Sequence, residues 1–129
     1  MIDKQIEKLL GIPYKYGGSD YKGMDCINLC VEVGKLRGFY IPNVNHDHVN
    51  YDEYAGLFIL ELSSKRWNKV LRQPDSLVVF RIGGIARHVG YMLDEFEFIH
   101  ILEDQNVSVE SLKDPKWSTR VQGFYKPSD

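Results

Sequence analysis

The hydrophobic period of this chain changes near its midpoint, and that change limits the fold more than any other feature. Up to about residue 66, apolar side chains recur at three- and four-residue steps. From Ser76 onward they alternate, or run in short β-branched and aromatic stretches broken by turn residues. Helices first and consecutive hairpins afterwards describe an α+β fold with an antiparallel sheet, not alternating βαβ units.

Ile2, Ile6, Leu9 and Leu10 mark one face of a short helix that stops at Gly11 and Pro13. A turn-rich stretch, residues 17–23, leads into a second helix over 25–37. Cys26, Leu29, Cys30, Val33 and Leu36 line one side of it, and Gly38 is its C′ stop. Residues 39–50 keep no period and read as loop, and 52–66 reads as a third helix. Strands are expected at 76–82, 86–93 and 96–102. Gly83-Gly84 turns the first pair and Asp94-Glu95 the second, with 107–109 and 121–125 completing the sheet. The basic run Lys65-Arg66-Trp67-Asn68-Lys69 reads as a solvated helix end.

At 129 residues with 43% hydrophobic content, residues 1–129 read as one domain with one core, not as a disordered chain. Sixteen Lys and Arg against eighteen Asp and Glu leave a charge of −2, so a nucleic-acid partner is not expected. No apolar run reaches the length of a bilayer crossing, and the N-terminus has no uninterrupted apolar segment of the secretory kind. Cys26 and Cys30 lie on successive helical turns, where a disulfide would close a trivial loop. The chain therefore reads as soluble, made in a reducing cytosol and disulfide-free.

Three groups of residues carry possible chemistry. Cys26 follows Asp25, a good N-cap, so it should lie in the first turn of the second helix. The partial positive charge and free N–H groups there stabilise a thiolate and can receive an oxyanion, whereas Cys30 reads as a small core residue. His88 and His100 fall on neighbouring strands of one hairpin. Two imidazoles on one face can act together, one as proton acceptor and the other orienting it, although either alone is an ordinary strand residue. Tyr14 alternates with Tyr16 ahead of the glycine turn, either packing the first helix or bringing a phenol to the nucleophile. His46-Asp47-His48 is a possible pair of metal ligands, but no third or fourth ligand has a local signature and no metal is expected.

The blocks Gly11-Ile12-Pro13-Tyr14-Lys15-Tyr16-Gly17-Gly18, Gly23-Met24-Asp25-Cys26, Arg87-His88-Val89-Gly90-Tyr91-Met92 and Phe98-Ile99-His100 occur in that order. Together they resemble the NlpC family of papain-like peptidases that cleave bacterial cell-wall peptides. The resemblance implies a papain-like fold with the nucleophile at a helix N-terminus. It also implies Cys26 as nucleophile, His88 as general base and His100 as the group orienting it, with Tyr14 and Asp25 on the oxyanion and substrate side. No cofactor is implied. The implied substrate is the peptidoglycan stem peptide, at the bond from D-γ-glutamyl to a diamino acid. Residues 117–127 are similar to the end of the bacteriophage tail-associated branch. That implies tail-protein partners, and delivery to the wall by a phage or prophage tail in place of a signal peptide. Ile27-Asn28 stands where the family has Ser-Gly, and Ser76 replaces a common glycine–aspartate turn. The alternatives are a non-catalytic tail or wall-binding module that keeps the fold, and a thiol-dependent acyltransferase or transpeptidase.

Overall fold

The computed structural model describes residues 3–42 and 51–128. Asp3 caps a one-turn helix, α1 (Lys4–Glu7), by accepting from the Ile6 N–H at 2.9 Å. The expected first helix is cut short there, and Leu9 reaches the core from a run of turns. The glycine-rich stretch then forms a small hairpin, β1 (Ser19–Asp20) with β2 (Gly23–Met24). Helix α2 (Cys26–Leu36) matches the expected second helix, and Gly38 at φ +87° ends it in the left-handed conformation that glycine adopts without strain.

Helix α3 (Tyr51–Glu61) is shorter than expected. The basic run is not a helix end. Ser63 and Ser64 close the last turn, and β3 (Trp67–Val70) follows. Burial explains the difference: Trp67 is 4% exposed and packs edge-on to Phe58, while Asn68 and Lys69 stay outside. One anchoring residue among solvated neighbours gives an edge strand little periodicity to display.

The remaining elements are β4 (Leu77–Ile82), β5 (Ile85–Met92), β6 (Glu97–His100), β7 (Ser108–Ser111), a one-turn helix α4 (Pro115–Ser118) and β8 (Val121–Pro127). Each expected strand is present with its ends shifted by at most two residues. Gly83 and Gly84 both have positive φ, as a two-residue hairpin turn requires. β8 returns between β3 and β4, so the six strands run β3-β8-β4-β5-β6-β7, antiparallel throughout.

Both faces of the sheet are covered. Leu77, Val79, Val89, Tyr91 and Ile99 pack against the helices through Leu29, Cys30, Val33 and Phe58. Val78, Phe80, Met92 and Phe98 form a second core with Leu112 and Trp117 on the other face. Arg37 near the end of α2 ties the layers together: its Nε meets Asp75 Oδ1 at 2.8 Å, and Tyr91 donates to the same oxygen at 3.0 Å. Among the described residues no helix is long and apolar enough to cross a membrane.

Candidate active site

The helix start is built from Asp25. Its carboxylate is fully buried and accepts from the Asn28 N–H at 2.8 Å, the Gly17 N–H at 3.0 Å and the Asn28 side-chain amide at 3.3 Å. The first bond is an N-cap, and the second fastens the glycine turn to the helix. Asn28 turns its amide toward Asp25. Cys26 is the first residue of α2 and is buried, as is Cys30 one turn on. Burial pushes the Cys30 thiol well up, and the neighbouring Cys26 and Asp25 charges add to the rise, which suits a core residue.

Tyr14 lies where the segment entering the glycine turn bridges to Met24. Burial holds its phenol well above the ordinary range, and charge on Cys26, Glu103 and Asp25 pushes the same way. The hydroxyl therefore stays protonated and can donate. Tyr14 also borders a cleft of about 240 Å³ with Arg87, His88, Leu102, Glu103 and Gln105. Tyr14 thus links this cleft, through its bridge to Met24, with the strand that leads into the cysteine helix.

His88 comes to this cleft from β5 at a bulge. Phe80 pairs with His88 but Arg81 pairs with Ala86, so Arg87 is the extra residue on its strand and also borders the cleft. The Arg87 guanidinium stands 3.9 Å from the Glu103 carboxylate across the mouth.

The two expected histidines do meet. His88 Nε2 and His100 Nδ1 are 2.8 Å apart in a hydrogen bond buried beneath Phe80 and Trp117. The register explains how. Tyr91 pairs with Ile99 and Met92 with Phe98, which sets His100 across from Gly90 and makes His88 its diagonal neighbour. A β-carbon on Gly90 would lie 3.4 Å from the His100 Cβ and 3.2 Å from the Phe98 ring, so the missing side chain leaves His100 its place.

Beyond His100 lies a residue that the sequence did not single out. His100 Nε2 is 2.8 Å from Glu110 Oε2, and the Trp117 indole donates to Glu110 Oε1 at 2.8 Å. Glu110 pairs with Phe98 across β6–β7 and so shares the face of His100. The signal was alternation in Val107-Ser108-Val109-Glu110, one residue past the expected strand end.

Burial pushes the His88 imidazole well below its ordinary range, with the charges of His100 and Arg87 acting in the same direction. His100 is also lowered by burial, which outweighs the opposing Glu110 hydrogen bond and charge. Burial works to raise the Glu110 carboxyl, but hydrogen bonds from Trp117 and His100 prevail and hold it below the usual carboxylate range. Two neutral imidazoles ending on a carboxylate can accept and relay a proton. Among the described residues no cluster of three His, Cys, Asp or Glu side chains is suited to hold a metal ion. The His46-Asp47-His48 triplet lies outside the described residues.

Comparison with known proteins identifies the fold and the family. The chain is 30% identical over 111 residues to the murein DD-endopeptidase MepS/murein LD-carboxypeptidase of Escherichia coli strain K12. The match takes in 85% of this chain and 53% of the relative, so the chain spans about half the length of the curated relatives it matches. Among solved structures, the NlpC/p60 domain of the peptidoglycan hydrolase SagA superposes with a TM-score of 0.61 at 20% identity, over 93% of this chain and 91% of that one. A lipoprotein-like NLP/P60 protein of Staphylococcus aureus superposes at 0.64 with 17% identity, over 99% of this chain and 43% of its own. These likenesses establish the papain-like α+β fold. The NlpC/P60 family model runs from residue 11 to residue 126, through the cysteine helix and both histidine strands, and the chain belongs to that family.

Proposed function

We propose that this chain is a cysteine endopeptidase acting on the peptide stems of bacterial peptidoglycan. The observation that carries the reading is the buried His88–His100 bond, whose His88 end opens on the cleft that Tyr14 also borders. In this reading the Cys26 thiol gives its proton to His88 Nδ1 as Sγ attacks the scissile carbonyl. The oxyanion is received by N–H groups at the start of α2 and by the Tyr14 hydroxyl. His88 then protonates the leaving amine, and water hydrolyses the thioester. Asp25 acts by holding the helix start and the glycine turn in register. Arg87 and Glu103 offer a cation and an anion at the cleft mouth, complementary to the carboxylates and free amines of stem peptides.

Two finer readings belong with this one. The family resemblance favours the D-γ-glutamyl–diamino acid bond, whereas the name of the E. coli relative, a murein DD-endopeptidase and LD-carboxypeptidase, favours a DD or an LD bond. The likeness of residues 117–127 to tail-associated members favours delivery by a phage or prophage tail with tail proteins as partners.

Digestion of purified muropeptides, followed by product mass and amine-end labelling, tests the activity and the bond together. Wild-type protein should give fragments one water heavier in sum than the substrate, and Cys26→Ala should give none while melting normally. Wild-type rates in the alanine variant would refute the mechanism. Products joined to an added amine would mark a transferase instead.

A further inference from the structure

We infer that Glu110 is a positioning residue that sets the proton register of the histidine pair: anchored by Trp117, it holds His100 as the Nε2–H tautomer and so leaves Nδ1 of His88 bare to take a proton. The inference rests on the peptidase reading, in which that lone pair receives the Cys26 proton.

A buried pair of neutral imidazoles joined by one hydrogen bond can be wired in either direction, because each ring has one N–H and one acceptor nitrogen. Nothing in the His88–His100 contact alone chooses. Glu110 supplies the choice. An indole Nε1–H only donates, so the 2.8 Å contact fixes Glu110 Oε1 as an acceptor and fixes the orientation of the carboxylate. The ionised carboxylate has no proton to give, so at Oε2 the donor must be His100 Nε2–H, also at 2.8 Å. Neutral His100 then carries no proton on Nδ1. The 2.8 Å contact there makes His88 Nε2 the donor, and the remaining His88 nitrogen is an acceptor.

The same wiring survives the chemical step. When the thiol proton moves from Sγ to His88 Nδ1, the imidazolium still donates through Nε2 to the bare Nδ1 of His100. In the opposite wiring Nδ1 of His88 already holds its proton and cannot take the one from the thiol. Glu110 is not among the residues that line the cleft, so its effect passes through His100. The diagonal steps of His88, His100 and Glu110 across β5, β6 and β7 make this possible with all three on one face.

The test is Glu110→Gln in two backgrounds. Trp117 demands an acceptor, so the new amide must turn its oxygen to the indole and its NH2 to His100. His100 then accepts on Nε2, carries its proton on Nδ1 and donates to His88 Nε2, which leaves the proton of His88 on Nδ1, facing the thiol. We expect kcat on muropeptides to fall by about 10²–10⁴ with little change in KM, the scale of a catalytic histidine held in the wrong tautomer. Trp117→Phe removes the indole donor and lets the amide turn round. Adding Glu110→Gln to Trp117→Phe should therefore cost less than about ten-fold, a coupling that a merely structural glutamate does not predict.

Ring 15N shifts give a readout that needs no substrate. Both histidines should be Nε2–H in the wild type, Nδ1–H in Glu110→Gln, and Nε2–H again in the double variant. An equal loss in both backgrounds, or Nδ1–H rings in the wild type, would overturn the inference. The wild-type spectrum decides even where a variant fails to fold. Nε2–H rings in a protein that cleaves no muropeptide would overturn the peptidase reading and uphold the register.

Discussion

Asp25→Ala should be among the most damaging single changes near the site, and its cost can be worked from the bonds it removes. The carboxylate serves three donors. Loss of the cap at Asn28 costs about 1 kcal/mol by itself. The Gly17 N–H and the Asn28 amide lose a charged acceptor in a largely buried place, adding about 1 kcal/mol each. The sum, about 3 kcal/mol, corresponds to a fall in Tm of about 12 °C for a chain of this size. In urea it should lower the unfolding midpoint by about 1.5–2 M with the slope unchanged.

Asp25→Asn separates geometry from charge. Its oxygen can still cap Asn28, and the Asn28 amide can rotate to meet the new NH2, leaving mainly the Gly17 N–H opposed by another donor. The expected cost is about 1–1.5 kcal/mol, half or less of that for alanine. A cost below about 1 kcal/mol for alanine would refute the reasoning, since three bonds to a buried carboxylate would then count for almost nothing. Equal costs for both variants would show that negative charge, not hydrogen-bond pattern, holds the helix start.

Two further outcomes follow from the site. His88 and His100 both have folded pKa values below the ordinary 6.5, so below that pH the unfolded chain binds protons that the native chain refuses. Their contribution is complete above pH 6.5 and is lost as pH falls, at up to about 1.4 kcal/mol per pH unit for each ring. Urea melts from pH 7.5 to 5.0 should show this loss, with Glu110 adding its own only below its ordinary 4.5; a flat profile would contradict neutral buried rings. Gly90→Ala should cost about 1–2 kcal/mol through crowding against Ile99 O and the Phe98 ring at 3.2 Å. It should also slow muropeptide cleavage by displacing His100; unchanged stability and rate would show that the strand gives way freely.

The parts of this architecture that could be read from the sequence are those in which a local pattern decides. The Asp25 cap, the Gly38 stop and the Gly83-Gly84 turn each depend on a few adjacent residues, and each is where it was expected. Strand β3 was not legible because at the sheet edge only Trp67 is buried, and one residue makes no period. Alternation placed His88 with Gly90 and Met92 but gave no sign that this face is covered as well as the other. That knowledge comes from Trp117, which lies on the one-turn helix α4 far along the chain and closes a second core over Phe80, Phe98 and both imidazoles. Glu110 was hidden for the same reason. A carboxylate in an alternating strand looks solvated until its partner strand and the cover over it are known. Polar residues on a doubly covered sheet must pair with one another or leave donors and acceptors unmet. Once the cover over the second face is known, the sequence positions of His88, His100, Glu110 and Trp117 stop looking scattered, because the buried imidazoles meet each other and the half-exposed Glu110 carboxylate meets the His100 ring and the buried Trp117 indole.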